Sequence, residues 1–163
     1  MGTEGMDEVE LRPVTIHDHA FLWELLKARP QEANISHKAL PPYWKHLWFI
    51  LSGGRHPKFK GHKYKKWFLI YAPVYGAFIR PSQTLGNPYG PIGAIYLTNM
   101  DEIGIAILPK FQRQGYGKSA ILAFQAKCPQ ASYRANIAPG NKASKAFFKS
   151  LGFKKIQETY ECT

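Results

Sequence analysis

The sequence predicts a single α/β domain, and three observations carry that reading. Apolar runs with strand character at Trp67–Tyr71, Ile92–Thr98 and 102–108 are interspersed with stretches whose apolar residues recur at helical spacing, as in 21–26, 43–51 and 121–127. The 163 residues, 45% hydrophobic and 14% aromatic, suffice for one well-packed core and are too few for two large domains. Finally, the apolar run before Pro109 gives way to a short polar loop, to Gly115-Tyr116-Gly117, and at once to a helical pattern.

The elements follow in order along residues 9–160, with 1–8 expected to be a flexible extension. Val9 to Val14 reads as a first strand, with Pro13 suiting an edge or an end. Thr15, or the pair His17-Asp18, caps a helix through Phe21, Leu22, Leu25 and Leu26 that ends near Arg29-Pro30. Pro41-Pro42 opens a second helix through Tyr43, Trp44, Leu47, Trp48 and Leu51, stopped by Gly53-Gly54. Its aromatic stripe is assigned to the core.

Strands at Trp67–Tyr71 and Ile92–Thr98 flank a long loop, 72–91, rich in Gly, Pro, Asn and Tyr. Loops of that length in compact domains usually serve function. Asn99-Met100 turns the chain into the strand of 102–108. The helix after Gly117 runs to about Lys127 and Pro129 closes it. Tyr133–Ile137 reads as a short strand. Asn141–Leu151 reads as a helix with Ala143, Ala146, Phe147 and Leu151 inward and Gly152 as C-cap. Phe153–Thr159 is the expected last strand.

Charge narrows the partners. Lys and Arg number 22 against 11 Asp and Glu, a formal +11. Seven of the acids lie in residues 1–32, and between Ala33 and Gln157 only Asp101 and Glu102 face nineteen Lys and Arg. Such a surface attracts anions. Residues 55–66 concentrate six Lys and Arg around Phe59 and Tyr64. That composition suits a nucleic-acid backbone, although a solvated charge run is the commoner explanation. No apolar run approaches the 18 residues of a membrane span. The acidic N-terminus has no apolar signal core, and Cys128 and Cys162 make neither a disulfide framework nor a metal site. A cytoplasmic location is expected. The six histidines show no zinc-ligand spacing and are read as surface or capping residues.

The segment 102–121 holds the strongest chemical signal. A strand feeding a Gly-bearing loop at a helix start offers unpaired N–H groups at the positive end of the helix dipole, a ready site for phosphate. It is not a P-loop, because Gln112 stands where that pattern needs its first glycine.

Gln112-x-x-Gly115-x-Gly117 after such a strand resembles the acetyl-coenzyme A pyrophosphate loop of the GNAT N-acetyltransferases. Asn136-Ile137-Ala138-Pro139-Gly140-Asn141-Lys142-Ala143-Ser144, followed by Phe147-Phe148-Lys149-Ser150-Leu151-Gly152-Phe153, is similar to the C-terminal signature of one subgroup. That subgroup includes ribosomal-protein N-terminal and amino-sugar acetyltransferases. The resemblance implies a central mixed, mostly antiparallel sheet flanked by helices, with acetyl-CoA as co-substrate. It implies that Gln112, Arg113, Gln114, Gly115, Gly117 and Lys118 cradle the pyrophosphate, Arg113 and Lys118 being otherwise solvated surface; Tyr116 belongs to the same coenzyme-binding segment, and Ser119 either donates to a phosphate or merely caps the helix. Ile105, Ala106, Ile107 and Leu108 would run beside the pantetheine arm, and a backbone N–H there would polarise the thioester.

An ammonium must lose a proton before it attacks. Glu102, at the head of that strand, is the expected base, acting through water or by drawing in the ammonium, while Asp101 is the turn residue. Asn141 contacts the pantetheine or opens the helix, and Asn136 points to the same cleft. Phe148 stands where many relatives carry a tyrosine acid, so Ser144, Tyr116 or water must serve, or the thiolate leaves unassisted. The acceptor implied is a small primary amine, such as an amino sugar, or a protein N-terminus, and the basic surface suits an acidic one. The chain is expected to be a monomer or homodimer. Alternatives from other classes are a nucleic-acid-binding protein and an acyl-CoA-binding regulator without turnover.

Overall fold

The structure, a computed structural model, describes residues 9–30, 33, 39–54, 64–73 and 89–158. The expectations placed on 1–8, on most of the basic segment (55–63), on the loop at 74–88, on His37, His56 and His62 and on Cys162 therefore lie outside the described residues. The described elements are β1 (Glu10–Pro13), α1 (His19–Lys27), α2 (Tyr43–Leu51), β2 (Tyr64–Pro73), β3 (Tyr89–Thr98), β4 (Ile103–Ile107), α3 (Tyr116–Lys127) and α4 (Lys142–Ser150). Short 3-10 turns at Ile16–Asp18 and Pro109–Phe111 precede α1 and α3.

The four strands form one antiparallel sheet in the order β1-β2-β3-β4. Side-chain alternation divides it into two faces. One carries Phe68, Ile70, Ile95 and Ile103 against Tyr116, Ala120, Ile121 and Phe124 of α3 and Phe148 of α4. The other carries Leu69 and Ala94 against Phe21, Leu22 and Leu25 of α1 and Ile50 of α2. The sheet is thus sandwiched between helices. Phe124 is wholly buried; truncating such a side chain to Ala costs about 3–5 kcal/mol.

Local signals explain the starts and stops. Asp18 accepts from the Thr15 backbone N–H at 2.7 Å, which fixes the entry to α1. Gly152 takes a left-handed φ of +86° after α4, as its C-cap assignment requires. Asp101 takes φ +57° in the turn that joins β3 to β4. Among the described residues no helix is long and apolar enough to cross a membrane.

Several expectations are corrected. The α2 stripe is not core: Trp44 is 65% exposed and Trp48 49%, whereas His46 and Ile50 are buried. The sequence Tyr-Trp-Lys-His-Leu-Trp-Phe-Ile-Leu is apolar nearly all round, and His46 settles the inner face by bonding from Nε2 to the His19 carbonyl at 3.1 Å. His46 is accordingly an interior residue rather than a surface one.

The two late strands do not form. Tyr133–Ile137 contributes one parallel bridge, Arg134 to Glu102, and 153–158 has no ladder. Phe153 packs on Phe148 with ring centroids 5.0 Å apart, but Ile156 is 77% exposed and lacks a sheet to join. In α4 the inward positions are Phe147, Phe148 and Leu151, while Ala143 and Ala146 face solvent. The apolar arc is carried by the aromatic residues rather than by the small ones.

Candidate active site

β4 is an edge strand along most of its length. The Thr98 N–H bonds to the Glu102 carbonyl and the Leu108 N–H to the Ile92 carbonyl, so residues 102, 104, 106 and 108 turn their backbone groups toward β3. Residues 103, 105 and 107 turn theirs outward. At one end the Ile103 N–H bonds to the Arg134 carbonyl at 2.7 Å. At the other, Gln112 Nε2 donates to the Ile107 carbonyl, also at 2.7 Å. Between these two contacts, Ile105 presents its N–H and C=O to the open side. An extended ligand can add there as a strand does.

The loop that follows is shaped by its own bonds. Gln114 Nε2 donates to the Lys110 carbonyl at 2.7 Å, and Arg113 and Gly115 adopt left-handed φ values of +60° and +88°. Gly115 is the N-cap of α3, so the N–H groups of the first helical turn emerge from it. A Cβ on Gly115 would meet nothing within 4 Å, so the glycine answers a backbone demand. Gly117 answers a packing demand, because a Cβ there would lie 3.1 Å from the Phe147 ring of α4. Arg113, Gln114 and Lys118 are exposed beside the loop, whereas Tyr116 and Ser119 are buried in α3. Helix start and basic side chains together favour an anion.

At the head of β4, Asn136 Nδ2 donates to Glu102 Oε1 at 2.7 Å. The Arg134–Glu102 bridge holds the two backbones together, and Thr98 Oγ1 accepts from the Glu102 N–H at 3.2 Å. Two residues named separately from the sequence therefore form one pair. Asp101, by contrast, serves the turn and lies 3.8 Å from Lys65.

Asn141 caps α4, its Oδ1 accepting from the Ser144 N–H at 3.0 Å. Of the two roles open to it, opening the helix is the one seen. Ser144 is half-buried in the first turn of α4. Phe148 is 6% exposed, with its ring against Phe147 and Phe153, and belongs to the core.

Sequence reasoning missed Gly104 and Tyr96. They are register partners across β3 and β4, and a Cβ on Gly104 would overlap the phenol end of Tyr96. Tyr96 stacks on Tyr64 with centroids 4.1 Å apart and planes 11° from parallel. The available signal was a lone glycine inside the apolar strand Ile103-Gly104-Ile105, which marks a close approach. Tyr64, one of the two aromatic residues of the basic segment, is committed to this cluster.

An open strand edge, an anion-favouring helix start on the same strand's exit loop, and a carboxylate at the strand head thus all belong to β4 and the loop that leaves it. The model of the Acetyltransferase (GNAT) family matches residues 38–153, and the chain belongs to that family. It is accordingly an acyltransferase with acetyl-CoA as co-substrate. The fold is also that of a domain from Methanocaldococcus jannaschii, at TM-score 0.64 and 20% identity over 95% of this chain and 94% of the other. An acetyltransferase from Thermus thermophilus aligns at TM-score 0.62 and 20% identity, covering 93% and 90% of the two chains. Aminoglycoside N-acetyltransferase AAC(6')-Iy in complex with CoA aligns at TM-score 0.60 and 15% identity, covering 100% and 98%. No curated protein matches the sequence.

Proposed function

We propose that this chain is an N-acetyltransferase that moves the acetyl group of acetyl-CoA to a primary amine of a small molecule or a protein N-terminus. The observation that carries the reading is the Glu102–Asn136 pair at the head of an outward-facing strand edge. The residues present fit the co-substrate. Gly115 and the first turn of α3, with Arg113 and Lys118, suit its pyrophosphate, and the outward groups of Ile105 suit its amide-rich arm.

Within this reading each residue has a task. Glu102, oriented by Asn136, draws in the ammonium and takes its proton directly or through water, leaving a neutral amine to attack the thioester carbonyl. An outward N–H of β4, that of Ile105 or Ile107, faces the oxyanion that develops. Asn141 holds the start of α4, and Phe148 leaves thiolate protonation to water or Ser144. Among small amines, the subgroup resemblance favours an amino sugar. The neighbours also include spermidine N-acetyltransferases of Vibrio cholerae, at 13–14% identity, so polyamines belong in the same assay.

The deciding experiment is free-thiol release from acetyl-CoA over a panel of primary amines, beside thermal unfolding with and without acetyl-CoA. Stabilisation with thiol release supports the enzyme. Stabilisation without release would favour an acyl-CoA-binding regulator. No stabilisation at millimolar acetyl-CoA would sink the reading and turn attention to the basic residues at 55–66.

A further inference from the structure

We propose that the outer face of α2 is a docking surface for an anionic lipid bilayer, a role independent of acetyl transfer.

Spacing defines the face. Trp44, Leu47, Trp48 and Leu51 stand at i, i+3, i+4 and i+7, an arc of about 100° on the side of α2 away from the sheet. His46 and Ile50 take the inner side. Trp44 and Leu51 are each 65% exposed and Trp48 49%, with half-buried Leu47 between them. Exposed Leu40 and Tyr43 extend the patch at the helix start. The helix thus keeps a second apolar stripe after the core has taken the first.

Charge and area choose the occupant. Between Ala33 and Met100 the sequence carries nine Lys and Arg and no acid. Lys45 stands at the rim of the patch, its Nζ 5.3 Å from the centre of the Trp44 ring. On neighbouring α1, Glu24 is paired with Lys27 at 2.8 Å. These surroundings favour an anionic surface. A second copy would set identical cations opposite one another. The patch also exposes only roughly 500–600 Å² of side chain, short of the ~800 Å² each partner gives to a stable protein interface. A helix-binding groove grips the flanks as well as the apolar face. Those of α2 are taken, Tyr43 by Trp23 of α1 and Phe49 by Tyr64 and Trp67 of β2. A bilayer asks for one face only. Trp and Tyr rings favour the headgroup level, where a lysine beside them reaches the phosphates. The nine residues of α2 span about 13 Å, so the helix lies in the plane of the interface.

The test is co-sedimentation of the full chain with vesicles of phosphatidylcholine alone and of equimolar phosphatidylcholine and phosphatidylglycerol, at low and high NaCl. It compares the parental protein, the double variant Trp44→Ser with Trp48→Ser, and Lys45→Glu, with thermal unfolding as a check on folding. The parental protein should pellet with the anionic vesicles and not with phosphatidylcholine alone, and salt should weaken the binding. The double variant should lower the partition coefficient at least about tenfold, and Lys45→Glu about fivefold or more. A parental protein that stays in the supernatant overturns the inference and leaves the face to an acidic protein. Equal binding to both vesicles overturns it, as does a folded double variant that binds like the parental protein, since the attraction would then rest on charge elsewhere. So does a parental dimer in sedimentation equilibrium that the double variant dissolves, because the face would then belong to a second copy.

Discussion

Asn136 holds Glu102 from the neighbouring segment, Nδ2 to Oε1 at 2.7 Å, and the two backbones meet in a single parallel bridge. The carboxylate is thereby fixed at the head of β4 before any substrate arrives. Glu102→Gln removes the proton acceptor yet keeps the shape, so kcat should fall by about 10²–10⁴-fold. The rise in unfolding temperature with acetyl-CoA should persist. Asn136→Ala should lower kcat less, because the base survives without its orienting partner. Equal losses in both variants would show that the pair acts through structure alone.

Gly115→Ala tests the pyrophosphate loop without adding a clash. Its left-handed φ of +88° costs an L-residue about 1–2 kcal/mol, while the added methyl meets no atom within 4 Å. The expected result is a protein modestly less stable, with a markedly smaller thermal shift on adding acetyl-CoA. An undiminished shift would place the coenzyme elsewhere.

His46 should make stability depend on pH. Burial lowers its pKa from the ordinary 6.5, so the folded protein takes up the proton less readily than the unfolded chain. The unfolded state therefore binds more protons below about pH 6.5, and stability falls as pH drops through that point until the folded value is passed. Charging His46 places a cation among Trp23, Tyr43 and the His19 carbonyl, between α1 and α2. Denaturant unfolding of the parental protein and His46→Gln from pH 7.5 to 5 should show a shallower acid loss in the variant.

The two faces of α2 should respond differently to truncation. Trp44→Ser, at a 65% exposed position, should change stability by no more than about 0.5 kcal/mol. Ile50→Ala, at a buried one, should cost about 2–5 kcal/mol. Comparable costs in urea unfolding would mean that the aromatic face is covered in solution.

The parts legible in the sequence are those governed by local chemistry. Gly115, Gly152 and the turn at Asp101 each answer a backbone demand, and residue type alone announces them. Strands and helices with clear periods fell within a few residues of their observed bounds, although β2 and β3 run further into the loop between them. What stayed hidden depends on partners. Nothing in Phe153–Glu158 says that no strand lies beside it. Nothing in α2 says which of its apolar sides turns inward, because that choice follows from a bond between His46 and a carbonyl 27 residues away. Tyr96 and Gly104 were missed for the same reason, being a pair only across β3 and β4.

The outward edge of β4 has a bearing on how the protein behaves among its own copies. Exposed strand edges invite pairing between chains, which leads to runaway self-association. Here the invitation is cut short. Arg134 occupies the outward N–H of Ile103, and Gln112 occupies the outward carbonyl of Ile107. Only the three residues 104–106 lie between them, roughly 13 Å of strand from Ile103 to Ile107. A slim, amide-bearing molecule fits in that span, but another polypeptide strand finds too few bonds to stay.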